Sequence, residues 1–246
     1  RSAGKGRARR RGKQAYPHIQ NAAAGGPWAM DKNKLGQSGA FLSLKAAGLD
    51  VPEDVRAEIA AARHTAGKPR TSRGVAVIPV MGSISYRANM LNEISGGTSI
   101  EQLTSAFRQA VNDPGVGTIV LQIDSPGGAV SGVPELADEI FAARSQKKII
   151  AVSDTMAGSA AYWLMSAASE AVVTPSGEVG SVGVYALHLD QSAAMEMAGV
   201  KPTFISAGPH KTEGNSFEPL GSEAEAAIQA DIDAFYEMFT KAVARG

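Results

Sequence analysis

The chain contains no cysteine. A disulfide framework and any thiolate chemistry are therefore excluded, and the fold has to be held by burial and hydrogen bonding. Histidine is scarce as well. His18, His64, His188 and His210 are scattered, without ligand-like spacing to one another or to acidic pairs, which predicts no metal site. No apolar run approaches the roughly 18 to 20 residues that a membrane-spanning helix needs. No apolar segment follows the basic N-terminus in the way a secretory signal requires. What remains is a chain of 246 residues, 44% apolar and 20% charged, with zero net charge. That is enough to bury one substantial core, or one core and an appendage, and it reads as a soluble globular protein. It begins without Met and ends in Ala-Arg-Gly directly after a helical pattern, as a fragment or a processed form would.

Residues 1–26 carry Arg1, Lys5, Arg7, Arg9, Arg10, Arg11 and Lys13 among Gly and Ala, with almost nothing to bury, and read as a disordered basic arm. Because net charge is zero, the remainder is acidic in compensation. The arm suits contact with nucleic acid or with an acidic partner, and equally suits a solvated tail. Residues 27–73 hold PWAMDKNKL and then Leu42, Leu44, Val51, Val55 and Ile59 at helix-like spacing, ending in GKPRTSRG. They read as an N-terminal helical extension joined to the core by a polar linker.

The core is expected over residues 74–246. VAVIPVMGSI (75–84) is a near-continuous apolar run, the pattern of a strand covered on both faces. SIEQLTSAFRQAVNDP (99–114) combines a Ser99 cap, Gln102 three residues on, apolar positions at helical spacing and a Pro stop. TIVLQIDSPGG (118–128) is a second strand running into a turn, residues 133–146 a helix, and KKIIAVSD a third strand. AVVTP (171–175), SVGVYAL (181–187) and PTFISAG (202–208) read as further strands, residues 189–200 as a helix, and residues 222–246 as a long amphipathic helix. Strands alternating with helices imply an α/β domain with largely parallel pairing. No repeat of fixed period is visible.

Three stretches carry chemistry. In VSDTMAGSAAYWLMSAA (152–168) a β-branched run stops at a small turn, and an apolar segment with helical spacing starts immediately after Ser159. This sets a hydroxyl at a helix N-terminus among small residues, where developing negative charge is favoured; an ordinary Ser cap explains the same pattern. In IDSPGG (123–128), Gly127 and Gly128 lie between a strand and a helix, a turn that can expose N–H groups to an oxyanion or simply reverse the chain. SAGPHKTEG (206–214) presents Lys211 in a loop. A loop lysine is usually solvent-exposed, yet a serine nucleophile in a chain without cysteine or a G-x-S-x-G elbow needs a base, and a desolvated lysine can act as one. His188 and His210 are the rival bases. Two S-x-x-K matches, Ser2/Lys5 and Ser145/Lys148, fall in the arm and at a charged helix end and are treated as chance.

Together these stretches resemble the signal peptide peptidase family of serine proteases, and within it the phage head-maturation branch. The resemblance covers roughly residues 74–246 and rests on VAVIPVMGSI, IDSPGG, DTMAGSAAYWLMSAA, PSGEVGSVGV and SAGPHKTEGNSFEPLGSEA, in that order. It implies an α/β fold of the Clp-protease/crotonase-like type, a spiral of β-β-α units. It implies that Ser159 is a nucleophile, Lys211 its general base, and Ser181 the hydroxyl that orients the lysine. Gly128 and Ala160 would supply the oxyanion N–H groups. Family members often have Gly-Gly after the serine where this chain has Ala160-Ala161, a change that should narrow the pocket while leaving the backbone donor in place. No cofactor is implied.

The branch resemblance rests on PWAMDKNKL and GNSFEPLGSEA, and implies cleavage of scaffold and head proteins within a procapsid in the host cytoplasm. Alternatives left open are a peptide-degrading bacterial member of the family, a crotonase-type acyl-CoA enzyme, and an inactive scaffold-binding module. In the terminal helix Ala227, Ile228, Ile232, Phe235, Phe239 and Val243 form a stripe broader than one domain face needs, so a homo-oligomer is expected.

Overall fold

A computed structural model describes residues 28–30, 68–87 and 97–246, with backbone alone for 28–30. The basic arm and the helical extension expected at Leu42–Ile59 lie outside the described residues.

Four strands form the parallel body of the central sheet: β3 (Val75–Met81), β6 (Thr118–Asp124), β8 (Lys148–Ser153) and β10 (Glu170–Val173). With the short antiparallel β2 (Arg70–Ser72) they stand in the order β10-β8-β6-β3-β2. Apolar alternation fixes the register, which runs from Val75 opposite Thr118 to Met81 opposite Asp124. Along β3, Ala76, Ile78 and Val80 are buried while the intervening residues are half-buried, so the expectation of two fully covered faces holds for one face only.

Each strand of this body is followed by a shorter strand outside it. They are β4 (Ile84–Ser85) after β3, β7 (Gly127–Ala129) after β6, β9 (Met156–Gly158) after β8 and β11 (Glu178–Gly180) after β10. Helices follow the first three pairs: α1 (Ile100–Asn112, after the two-residue β5, Thr98–Ser99), α2 (Val133–Ala143) and α3 (Ala160–Ser166). This recurrence of β-β-α units is the α/β plan expected from the sequence. The second strands build two small sheets, one of order β1-β7-β4-β5 with β1 at Trp28–Met30, the other of β11 and β9.

Local chemistry accounts for the helices. Ser99 accepts a hydrogen bond from the Gln102 N–H at 3.4 Å, as a cap should, and Leu103, Phe107 and Ala110 turn one stripe of α1 to the core. Pro134 in the first turn starts α2. Helix α3 buries Ala160, Ala161, Trp163, Leu164 and Met165, the composition of a helix with no free face. The terminal helix α5 (Ser222–Arg245) reaches this core through Phe239, whose ring stacks on Trp163 at 4.5 Å and 6°, and through an Arg245–Asp138 ion pair at 2.7 Å. Burying side chains of this size contributes about 1.5–3 kcal/mol each.

Four expectations need correction. Residues 70–72, read as linker, are a strand of the sheet; all three are exposed, so no burial pattern marks them. Residues 181–187 and 202–208 form no strand. Gly180 and Ser181 have φ of 119° and 57°, which breaks the extended run, and no neighbouring strand pairs with 202–208, where Ile205 is 98% exposed. Between them the expected helix shrinks to α4 (Ser192–Met197), with no buried residue.

Candidate active site

Ser159 stands at the junction of β9 and α3 with φ 52° and ψ −116°. A side chain in this region costs on the order of 1–3 kcal/mol, and such strain persists only where the surroundings enforce it. Here they do: the Ser159 N–H donates to Gly180 O at 2.6 Å, and its carbonyl accepts from the Trp163 N–H at 2.9 Å. The hydroxyl makes no helix-capping hydrogen bond, so the ordinary cap role does not apply. Instead Oγ faces Gly183 O at 3.5 Å, a long contact, and the residue is 1% exposed.

The IDSPGG turn is stitched to this junction. The Ser125 N–H donates to Met156 O and the Gly158 N–H to Ser125 O, both at 2.9 Å. Buried Ser125 Oγ donates to Gly82 O at 2.6 Å and accepts from the Gly127 N–H at 3.1 Å, which locks the turn. A side chain would be crowded at Gly158 and has no room at Gly128. A Cβ on Gly158 would lie 3.1 Å from Pro126 O, and one on Gly128 would lie 2.0 Å from Ile84 O. The two glycine-bearing motifs thus meet, and Ala160, the residue after Ser159, is fully buried.

Ser181 is carried to the same place by the β9–β11 pairing. Gly158 lies opposite Gly180, so Ser159 and Ser181 follow paired residues; Ser181 is exposed. Lys211 is not joined to them. It is exposed, its N–H donates to Gly208 O at 3.4 Å, and its ammonium makes no hydrogen bond or ion pair with a described residue. The burial expected of a lysine base is therefore absent from a single subunit. The rival histidines are engaged elsewhere: His188 Nε2 contacts Asn215 O at 2.9 Å, and His210 Nδ1 contacts Glu213 Oε1 at 2.9 Å. The Glu213 hydrogen bond and charge hold the His210 pKa above its ordinary value.

Some features escaped the sequence. Ser125 was part of the motif, but its locking role depends on Gly82, far away in the chain. His210, Glu213 and Glu223 bring ligand-type atoms within 4.8 Å of one another, all exposed, a grouping hidden because Glu223 comes from α5. The Tyr185 hydroxyl is buried without a partner, and burial pushes its pKa up to about 12. No local pattern announces it. Among the described residues no helix is long and apolar enough to cross a membrane.

Residues 142–246, which include Ser159, Ser181 and Lys211, match the model of peptidase family S49. The head-tail preconnector protein GP5 of Enterobacteria phage P21 is 38% identical over 71% of this chain and 35% of its own length. Capsid assembly protease C of Escherichia phage lambda is 38% identical over 69% of this chain and 39% of its own. Protease 4 of Salmonella typhi is 30% identical over 71% of this chain and 28% of its own. The matched stretch thus spans well under half of each of these relatives. By this match, residues 142–246 are similar to a peptidase family S49 domain.

Proposed function

We propose that the chain is a serine endopeptidase working through a Ser159–Lys211 dyad, and that it cleaves scaffold and head proteins during phage capsid assembly. The observation that carries the reading is Ser159 itself: a strained, non-capping serine held at a strand-to-helix turn against the glycine turn at 125–128. In the reaction, neutral Lys211 takes the Ser159 proton and Oγ bonds to the peptide carbonyl carbon. The Gly128 and Ala160 N–H groups stabilise the oxyanion. Collapse breaks the C–N bond, the departing amine takes the proton from Lys211, and water then releases the acyl group. Ser181 orients the amine of Lys211 without adding charge.

The capsid role is supported by the names of the two phage relatives at 38% identity. Residues 74–246 would form the catalytic domain, acting inside the procapsid. Homo-oligomerisation belongs to the same reading, because Lys211 needs desolvation that one subunit does not supply. The test is incubation with a serine-reactive phosphonate followed by intact mass and peptide mapping. A single adduct on Ser159 is expected. Modification of another residue instead, or none on a chain that cleaves peptide, would overturn the assignment.

A further inference from the structure

Strand β7, which bears Gly128, has two edges. One is held by β4, where Ile84 lies opposite Gly128 and is fully buried. The other is held by β1, which runs antiparallel to β7 with Trp28 opposite Ala129, Ala29 opposite Gly128 and Met30 opposite Gly127. In the order β1-β7-β4-β5, β1 is the outer strand. A residue from a remote part of the chain thus faces the glycine assigned to the oxyanion.

An extended peptide docks on a sheet edge by main-chain hydrogen bonds, its alternate side chains supplying specificity. A substrate strand whose carbonyl oxygen is to reach Gly128 has to run beside β7. The β4 side is closed by a core residue, so the β1 side is the one on which a strand can be exchanged. A three-residue strand paired along one edge is also marginal on its own, and so displaceable. We infer that Trp28–Met30 is a built-in competitor for the substrate, a strand of the same chain that holds the substrate-pairing edge of β7 until a substrate displaces it. The inference rests on the assignment of Ser159 and Gly128 given above. Because the competitor is tethered, its effective concentration is on the order of millimolar, and it acts on substrate affinity while leaving the bond-breaking step alone.

The absence of cysteine makes a clean test available. Residues opposite each other in an antiparallel pair have Cα atoms about 4.5–5.5 Å apart, within the roughly 4.4–6.8 Å a disulfide spans. Trp28→Cys and Ala129→Cys are introduced into the full chain together with Ser159→Ala, so that turnover plays no part. The probe is a fluorescein-labelled peptide of residues 26–32, Gly-Pro-Trp-Ala-Met-Asp-Lys, followed by fluorescence polarisation. The expected result is that the disulfide forms, that the oxidised chain does not bind the peptide, and that reduction restores binding. Ala29→Pro, which removes an N–H from β1, should bind at least about tenfold more tightly than the chain with Ala29. Failure of the disulfide to form, or equal affinity in the oxidised and reduced forms, overturns the inference. If Ala29→Pro does not fold, the reversible disulfide decides alone. Phosphonate labelling of the chain with Ser159 intact tests the catalytic assignment separately, so either can fail without the other.

Discussion

Residues 68–168 and residues 169–246 of this chain are built differently. In the first stretch, strands and helices bury Ile78, Phe107, Ile119, Leu121, Leu136, Ile149 and Trp163 almost completely. In the second, not one of residues 169–223 is buried, and in the terminal helix only Ala224, Phe239 and Ala242 are buried. Yet this open stretch holds Val172, Val173, Val179, Leu187, Phe204 and Ile205, and Met197 is 85% exposed. Large exposed apolar patches mark interaction surfaces, and the proposed oligomer would cover these residues. The candidate site straddles the seam. Ser159 and the Gly128 turn belong to the packed part, Ser181 and Lys211 to the open part, and the Gly158–Gly180 pairing joins them. Under the proposed reading, Ser159 and the 125–128 turn are set by the folding of one chain, whereas the desolvation that Lys211 would need as a base would have to come from assembly.

The largest effect should come from Lys211, where the two parts have to cooperate. Lys211→Ala is expected to lower peptide cleavage by on the order of 10²- to 10⁴-fold, the usual worth of a general base. Lys211→Arg should lose as much, since a guanidinium stays protonated and cannot accept the Ser159 proton. Thermal unfolding should be unchanged in both, because the residue is exposed. Comparable cleavage by the Arg variant would dissolve the dyad and with it the idea that the open part completes the site.

A second pair of substitutions compares the two parts directly. Phe239→Ala removes the ring stacked on Trp163 and should cost about 3–5 kcal/mol, read as a lowered melting temperature. Ile205→Ser changes a residue that is 98% exposed and should cost the subunit less than about 0.5 kcal/mol. Light scattering should nevertheless show a smaller solution mass for Ile205→Ser at equal concentration. If both variants melt alike, or if Ile205→Ser leaves the mass unchanged, the open stretch is a plain surface and no partner copy covers it.

The same divide explains what was legible in the sequence. β3, β6 and β8 were readable because burial imposes a run of Val, Ile and Leu on them, and the Ser99 cap and the apolar spacing that includes Phe107 marked the first helix. β2 and β1 were not, since they pair through backbone, and exposed Arg70, Thr71 and Ser72 carry no burial signal. The runs at 181–187 and 202–208 look like strands because they are apolar, but neither joins a sheet, and Val182, Leu187, Phe204 and Ile205 are exposed. At the site, Ser159 and the IDSPGG turn were visible as small-residue turns at strand ends. The positive φ of Ser159 was not, because it follows from Gly180 O and Trp163 N, partners fixed only by the fold.

The smallest effect separates the proposed base from its neighbour in the open part. His210 adjoins Lys211 and is held by Glu213 at 2.9 Å, with Glu223 of the first α5 turn adding a weaker raising influence. Both act in the same direction, so the folded-state pKa of His210 lies above the unfolded value of about 6.5. A raised histidine pKa means that the folded state holds the proton more tightly. The stabilisation is complete below about pH 6.5 and fades as pH rises through the folded-state value. The pair is exposed and screened, so the change is slight. His210→Ala should flatten the dependence of melting temperature on pH in that window and leave cleavage nearly intact, because the histidine is committed to Glu213 and makes no contact with Ser159. Titrating both chains by thermal melt, with cleavage measured at each pH, checks the two halves of this statement. Loss of cleavage in His210→Ala with the fold retained would transfer the role of base from Lys211 to His210.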